Sequence, residues 1–188
     1  MKAILKILLV LFAIQSYGQE IIPIENMIGH LDLSREDKPY YKDVNGVLNK
    51  FLGTWKYETS TELFEITFRK IEKYGRVDYY KDRLTSRYRY IKNGVVIYDT
   101  TSPIQAADSY PDHNVFGGII KNTDLNKIKL QFDEPEISFA GSNYLELTYN
   151  PVTQKLKWYV SAAMEPNENG VLVYPYKTPY LMTLTKVN

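Results

Sequence analysis

The residues with chemistry in them are few and scattered. His30 and His113 are the only histidines. His30 follows Gly29 in a polar stretch, and His113 follows Asp112 in a run with Pro111. An Asp beside a His is half of a base–orienter pair, but adjacent residues on an extended chain face opposite ways. A zinc site needs four converging N, S or O ligands, usually grouped in short motifs, and none surrounds either histidine. The reading is solvated loop histidines and no metal.

Asp133-Glu134-Pro135-Glu136 concentrates carboxylates at a strand end. A calcium loop would space its oxygen ligands differently. Two glycosidase carboxyls are defined by their separation, which sequence does not give. The cluster reads as a solvated acidic turn. Ser142 and Ser161 lack a Gly-x-Ser-x-Gly elbow. Gly117-Gly118 is not followed by the Gly-Lys-Ser/Thr of a phosphate loop. No residue is therefore assigned to catalysis, a metal or a cofactor.

Composition narrows the class. The chain has 188 residues and no cysteine, which removes disulfides, thiol catalysis and Cys-based metal sites. Its 23 basic and 22 acidic residues are interspersed. Nothing forms a basic stripe for nucleic acid or a polybasic membrane patch. Tyrosine is in excess, 17 against 7 phenylalanines. An apolar ring with a polar tip suits a half-wet sheet face or a binding surface.

Residues 1–18 read as a signal peptide. Lys2 and Lys6 are basic, residues 7–14 are apolar, and Ser16 and Gly18 stand at −3 and −1 of a cut before Gln19. Eight apolar residues are too few to span a bilayer, which takes roughly 20. The expectation is export to the periplasm or the exterior with no stable membrane anchor.

The elements that must position any site are strands. Residues 19–50 read as an irregular N-terminal arm ending in a short helix over 43–50, with Asp43 as its cap and Val44, Val47, Leu48 and Phe51 on one face. Residues 51–188 read as one barrel. Phe64, Ile66 and Phe68 alternate with polar neighbours, as do Ile128, Leu130 and Phe132, and Leu156, Trp158 and Val160. Met182 falls on a plausible inward face of the last strand. A break in phase at Lys70-Ile71 predicts a bulge. Asn93-Gly94 between β-patterned residues predicts a type I′ hairpin. Long helices are missing, so about eight or nine strands at short spacing point to an all-β antiparallel barrel.

Gly53-Thr54-Trp55, after a helical turn and before the strands, resembles the Gly-x-Trp signature of the lipocalin-like (calycin) barrels. That resemblance makes Gly53 and Trp55 structural anchors. It also gives Lys186, near the last strand, the role of the basic residue laid against the Trp. Tyr40-Tyr41-Lys42-Asp43, residues 49–55 and residues 88–94 resemble uncharacterised secreted domains of Bacteroidota. That second resemblance implies export and a lipocalin-like barrel, and implies no activity.

The expected function is a secreted, non-enzymatic, monomeric domain binding a small apolar or amphipathic ligand. Small barrels either fill with side chains or hold one such molecule. Tyr88, Tyr90, Phe132 and Trp158 are the candidate ligand contacts. With the Tyr face inward the lining is aromatic with polar tips. With the opposite face inward, Arg87 and Arg89 would grip a carboxylate. The alternatives are an envelope or extracellular protein-interaction module with a filled barrel, and a carboxylate-dependent hydrolase.

Overall fold

The computed structural model describes residues 18–31, 37–101, 115–135, 144–161, 164–166 and 168–187. The leader up to Tyr17, Asp112, His113, Glu136 and Ser142 lie outside them. The arm contains β1 (Ile21–Pro23), a 3-10 turn (Ile24–Asn26), the short helix α1 (Met27–His30) and β2 (Tyr40–Lys42). A second 3-10 turn (Asn49–Phe51) leads into β3 (Gly53–Glu58), β4 (Glu62–Gly75), β5 (Tyr80–Lys92) and β6 (Val95–Asp99). There follow β7 (Val115–Lys121), β8 (Asp124–Phe132), β9 (Tyr144–Asn150) and β10 (Lys155–Ser161). A two-residue hairpin of β11 (Glu165–Pro166) and β12 (Leu172–Val173) precedes β13 (Leu181–Lys186).

Eight of these close on themselves in the order β5-β4-β3-β13-β10-β9-β8-β7, and β7 pairs back onto β5. Every neighbour in the ring is antiparallel. The protein is thus an all-β, closed eight-stranded barrel, the architecture expected of a lipocalin-like fold. β1, β2 and β6 lie outside the ring. β2 runs parallel to β5 at Tyr40–Tyr80, and β6 pairs with the far end of β5.

Period-two patterning decides which side chains are inside. Phe64, Ile66, Phe68, Leu130, Phe132, Leu156, Trp158 and Met182 are all buried, and Leu145 and Leu147 join them from β9. Each such side chain contributes about 1.5–3 kcal/mol by leaving water. The Asn93-Gly94 turn has both φ angles positive, 51° and 77°, as a type I′ hairpin requires. The β4 bulge falls between Ile71 and Tyr74, slightly later than the phase break implies, with Lys73 at φ 49°.

The arm closes the end of the barrel at which β3 begins, here the lower end. Ile22, Ile24, Met27, Tyr41, Val47, Leu48 and Phe51 belong to the same apolar cluster as the barrel interior. Buried Asp82 ties the arm down. Its carboxylate accepts from the Tyr40 hydroxyl, the Asp43 amide (2.9 Å) and the Lys73 amide (3.0 Å). The helix expected over 43–50 is replaced by turns and the Asn49–Phe51 3-10 turn. The Asp43 amide is held by Asp82, and Gly46 takes φ 64°, which a right-handed helix does not admit. Val44 is accordingly exposed while Val47, Leu48 and Phe51 are buried.

Candidate functional site

Aromatic rings converge on the upper interior, towards the end where β5 finishes. On β5, Tyr88 and Tyr90 face inward while Arg89 is exposed, which decides between the two faces of that strand. Pairing fixes their height: Tyr88 lies opposite Ile66, and Tyr90 opposite Phe64. Phe132 arrives at the end of β8, and Trp158 in the middle of β10 opposite Leu147 and Met182. The four candidate contacts Tyr88, Tyr90, Phe132 and Trp158 are therefore together and all fully buried.

The rings touch from wall to wall. Phe64 lies 5.1 Å from Trp158 and 5.3 Å from Tyr88, centroid to centroid. Phe132 lies 5.3 Å from Trp158, 6.1 Å from Tyr88 and 5.2 Å from Tyr176. Tyr174 stacks edgewise on Tyr176, and Tyr98 of β6 on Tyr88. These separations are those of favourable edge-to-face and tilted pairs.

Among these rings lies a charge. Glu134 is 2% exposed, so it is not part of a solvated acidic turn. One carboxylate oxygen accepts from the Thr178 amide (2.8 Å), the other from the Lys177 amide (2.7 Å). Two charge-assisted bonds offset the desolvation that would otherwise keep a carboxylate out. Burial still raises its pKa above the ordinary glutamate value, with the two amides working against it. The signal was in the sequence: the inward period Ile128, Leu130, Phe132, carried one step further, lands on Glu134.

The hydroxyls near Glu134 are held protonated. Burial pushes Tyr88 well above the ordinary tyrosine range, and the charge of Glu134 adds to it. The same two causes act, in the same order, on Tyr174. Tyr90 is also raised, first by burial and then by its hydrogen bond to Glu62 (2.9 Å), which Lys92 holds from outside (3.0 Å). The Tyr88 hydroxyl, the Tyr174 hydroxyl and the Trp158 indole N–H are buried and have no hydrogen-bond partner among the described residues. The upper interior thus holds three donors unused by the described residues, set among packed aromatic rings and one buried carboxylate.

Among the described residues no group of three or more acidic or histidine side chains could hold a metal ion. No helix among them is long and apolar enough to cross a membrane. His30 lies at the end of α1, and its carbonyl accepts from the Tyr41 hydroxyl (3.0 Å). At the lower end Trp55 is fully buried, and its indole N–H donates to the Phe51 carbonyl (2.9 Å).

A closed antiparallel barrel, sealed below by an N-terminal arm and lined above by hydroxyl-bearing rings, defines a small all-β barrel protein. Residues 1–169 match a family model described as "Family of unknown function (DUF6705)", and the chain belongs to that family. No curated protein and no solved structure matches the chain.

Proposed function

We propose that this protein is an exported, non-enzymatic binding domain whose upper barrel interior takes one small amphipathic molecule. The observation that carries the reading is the set of three buried donors, on Tyr88, Tyr174 and Trp158, without partners among the described residues. An unsatisfied buried polar group costs about 1–3 kcal/mol, and folded proteins keep few of them. A ligand oxygen placed among them would recover that energy, while its apolar part would meet Phe64 and Phe132. Entry begins at Tyr174, the half-buried member of the lining, because the deeper rings must give way first.

The test is a titration with dodecanoate, read by displacement of an environment-sensitive dye and by tryptophan emission. The expected result is saturable binding in the micromolar range, with the emission change lost in Trp158→Phe and the affinity lowered about tenfold in Tyr88→Phe, a loss of one hydrogen bond to a charged group. No saturation at high micromolar probe sinks the reading.

One observation favours a second reading. The contacts from Phe64 through Trp158 to Phe132 fill the space between β4, β10 and β8 with side chains. That is how a barrel with a solid core looks. Under it the protein is an extracellular interaction module. A failed titration, together with full stability of the ligand-free chain, is its expected outcome.

A further inference from the structure

The segment between β12 and β13 lies across the upper end of the barrel. β7 runs antiparallel to β5 and each further neighbour alternates, so β8 and β10 finish at this end and β13 begins there. Residues 174–180 belong to no strand. Pro175 and Pro179 have no N–H to give a ladder, which keeps this strap out of the sheet. The β11–β12 hairpin before it forms a separate two-stranded sheet. Downstream the strap joins the barrel where the Val160 amide donates to the Tyr180 carbonyl (2.8 Å) and β13 starts.

Side chains hold the strap down. Tyr176 is buried, its ring centre 5.2 Å from that of Phe132. The Tyr174 ring packs edgewise against Tyr176 at 5.4 Å and Tyr180 at 5.7 Å. The Lys177 ammonium lies 5.3 Å from the centre of the Tyr98 ring on β6. At the middle of the strap, Glu134 accepts from two consecutive amides, Lys177 at 2.7 Å and Thr178 at 2.8 Å. Glu134 follows the end of β8 by two residues, so one carboxylate ties the strap to the opposite wall from Val160. A backbone fastened by a side chain and by ring contacts, rather than by a ladder, opens at lower free energy than the sheet beneath it.

We propose that residues 174–180 are a hinged lid on the upper interior, pivoting at Tyr180 and latched by the Glu134 carboxylate. Opening lifts Tyr176 off Phe132 and brings that ring to solvent. The use of the lid as the gate for an amphipathic molecule rests on the binding reading above. Among the described residues, the titratable groups that face Glu134 are Tyr88 and Tyr90 of β5, Tyr98 of β6 and Tyr174 of the strap, with Asp133 beside it in the chain. Burial raises the Glu134 pKa in the closed state, against the pull of the two amides. In the open state the carboxylate meets water and returns towards the ordinary value. The closed lid therefore holds the proton more tightly, and a rise in pH through the raised value favours opening.

Native-state hydrogen exchange of the full chain, read by NMR, tests this. Protection factors, which divide out the intrinsic pH dependence of exchange, are compared for the Lys177 and Thr178 amides and for the Leu147 and Trp158 amides of the sheet. The strap amides should be at least about a hundredfold less protected than the sheet amides, and insensitive to low urea, because a local opening exposes little surface. Their protection should fall as pH rises from 5 to 8, and Glu134→Gln should abolish that fall. If Glu134→Gln does not fold, the wild-type urea and pH dependences decide. Strap amides that exchange with the protection and urea dependence of the sheet, or a pH dependence that survives in Glu134→Gln, overturn the lid. In stopped-flow mixing, dodecanoate should enter faster at pH 8 than at pH 6, in step with the lost protection; an unchanged rate overturns the gate. Absence of dodecanoate binding fells the binding reading alone, since the exchange experiment contains no ligand.

Discussion

The Lys186 ammonium lies 5.4 Å from the centre of the Trp55 ring, and the two residues are direct partners across β3 and β13. This is the contact that the Gly-x-Trp resemblance implies for a basic residue near the last strand. It joins the first strand of the barrel to the last at the end the arm covers. Emptying a buried Trp site costs about 3–5 kcal/mol, so Trp55→Ala should lower the urea-unfolding free energy by that amount. Lys186→Ala should cost about 0.5–1 kcal/mol, the scale of an exposed cation–π contact. A loss below about 1 kcal/mol for Trp55→Ala would show that the ring is not an anchor.

Gly53 is the residue that lets the chain enter β3 from the 3-10 turn. Its φ is 97°, and an added Cβ would stand 3.3 Å from the Lys186 Cε. The lysine tip can give way; the backbone angle cannot without strain of about 1–3 kcal/mol. Gly53→Ala should therefore destabilise by about that amount and, by pushing Lys186 aside, perturb Trp55 emission. An unchanged unfolding midpoint would contradict the strain.

Glu134 makes stability depend on pH in a particular direction. Its folded pKa is raised by burial, so the folded state holds this proton more tightly than the unfolded chain. The wild type should thus lose stability relative to Glu134→Gln as pH rises from the ordinary glutamate value through the raised one, and regain it on acidification. Denaturant midpoints of both proteins between pH 3 and 8 would show it. Parallel curves would mean that the two amide bonds cancel burial. Glu134→Ala removes the acceptor of both amides and should cost about 1–3 kcal/mol for each one left buried.

Export predicts a cut between Gly18 and Gln19. Intact mass of the protein recovered outside the inner membrane should correspond to a chain starting at Gln19. Recovery of a species that keeps Met1 would rule this out.

Strands with strict alternation were legible because burial alone decides them: Phe64, Ile66 and Phe68 had one consistent face to offer. The inward face of β5 was not, since tyrosine and arginine both pair an apolar body with a polar tip, and only packing against Phe64 and Phe132 chooses. The arm escaped the pattern because Ile22, Ile24, Met27 and Tyr41 reach the barrel end one at a time, with no repeating period to betray them. The chamber was half visible. Its rings could be named from their strands, whereas Glu134 carried the mark of a surface turn.

That return is narrow. β7 touches β5 at three residue pairs, Leu84–Gly117, Thr85–Phe116 and Ser86–Val115, and β5 gives the rest of that edge to β2 below and β6 above. The ring is therefore a zip with a short fastening. The sheet from β3 to β6 and the sheet from β7 to β10 are each built from sequence neighbours, and can form before the fastening does. The amides at the fastening should exchange with solvent by an opening that leaves both sheets intact, a lower-energy event than global unfolding. Mechanically, this is where the cylinder would first become a curved sheet, with the aromatic interior laid open along the slit.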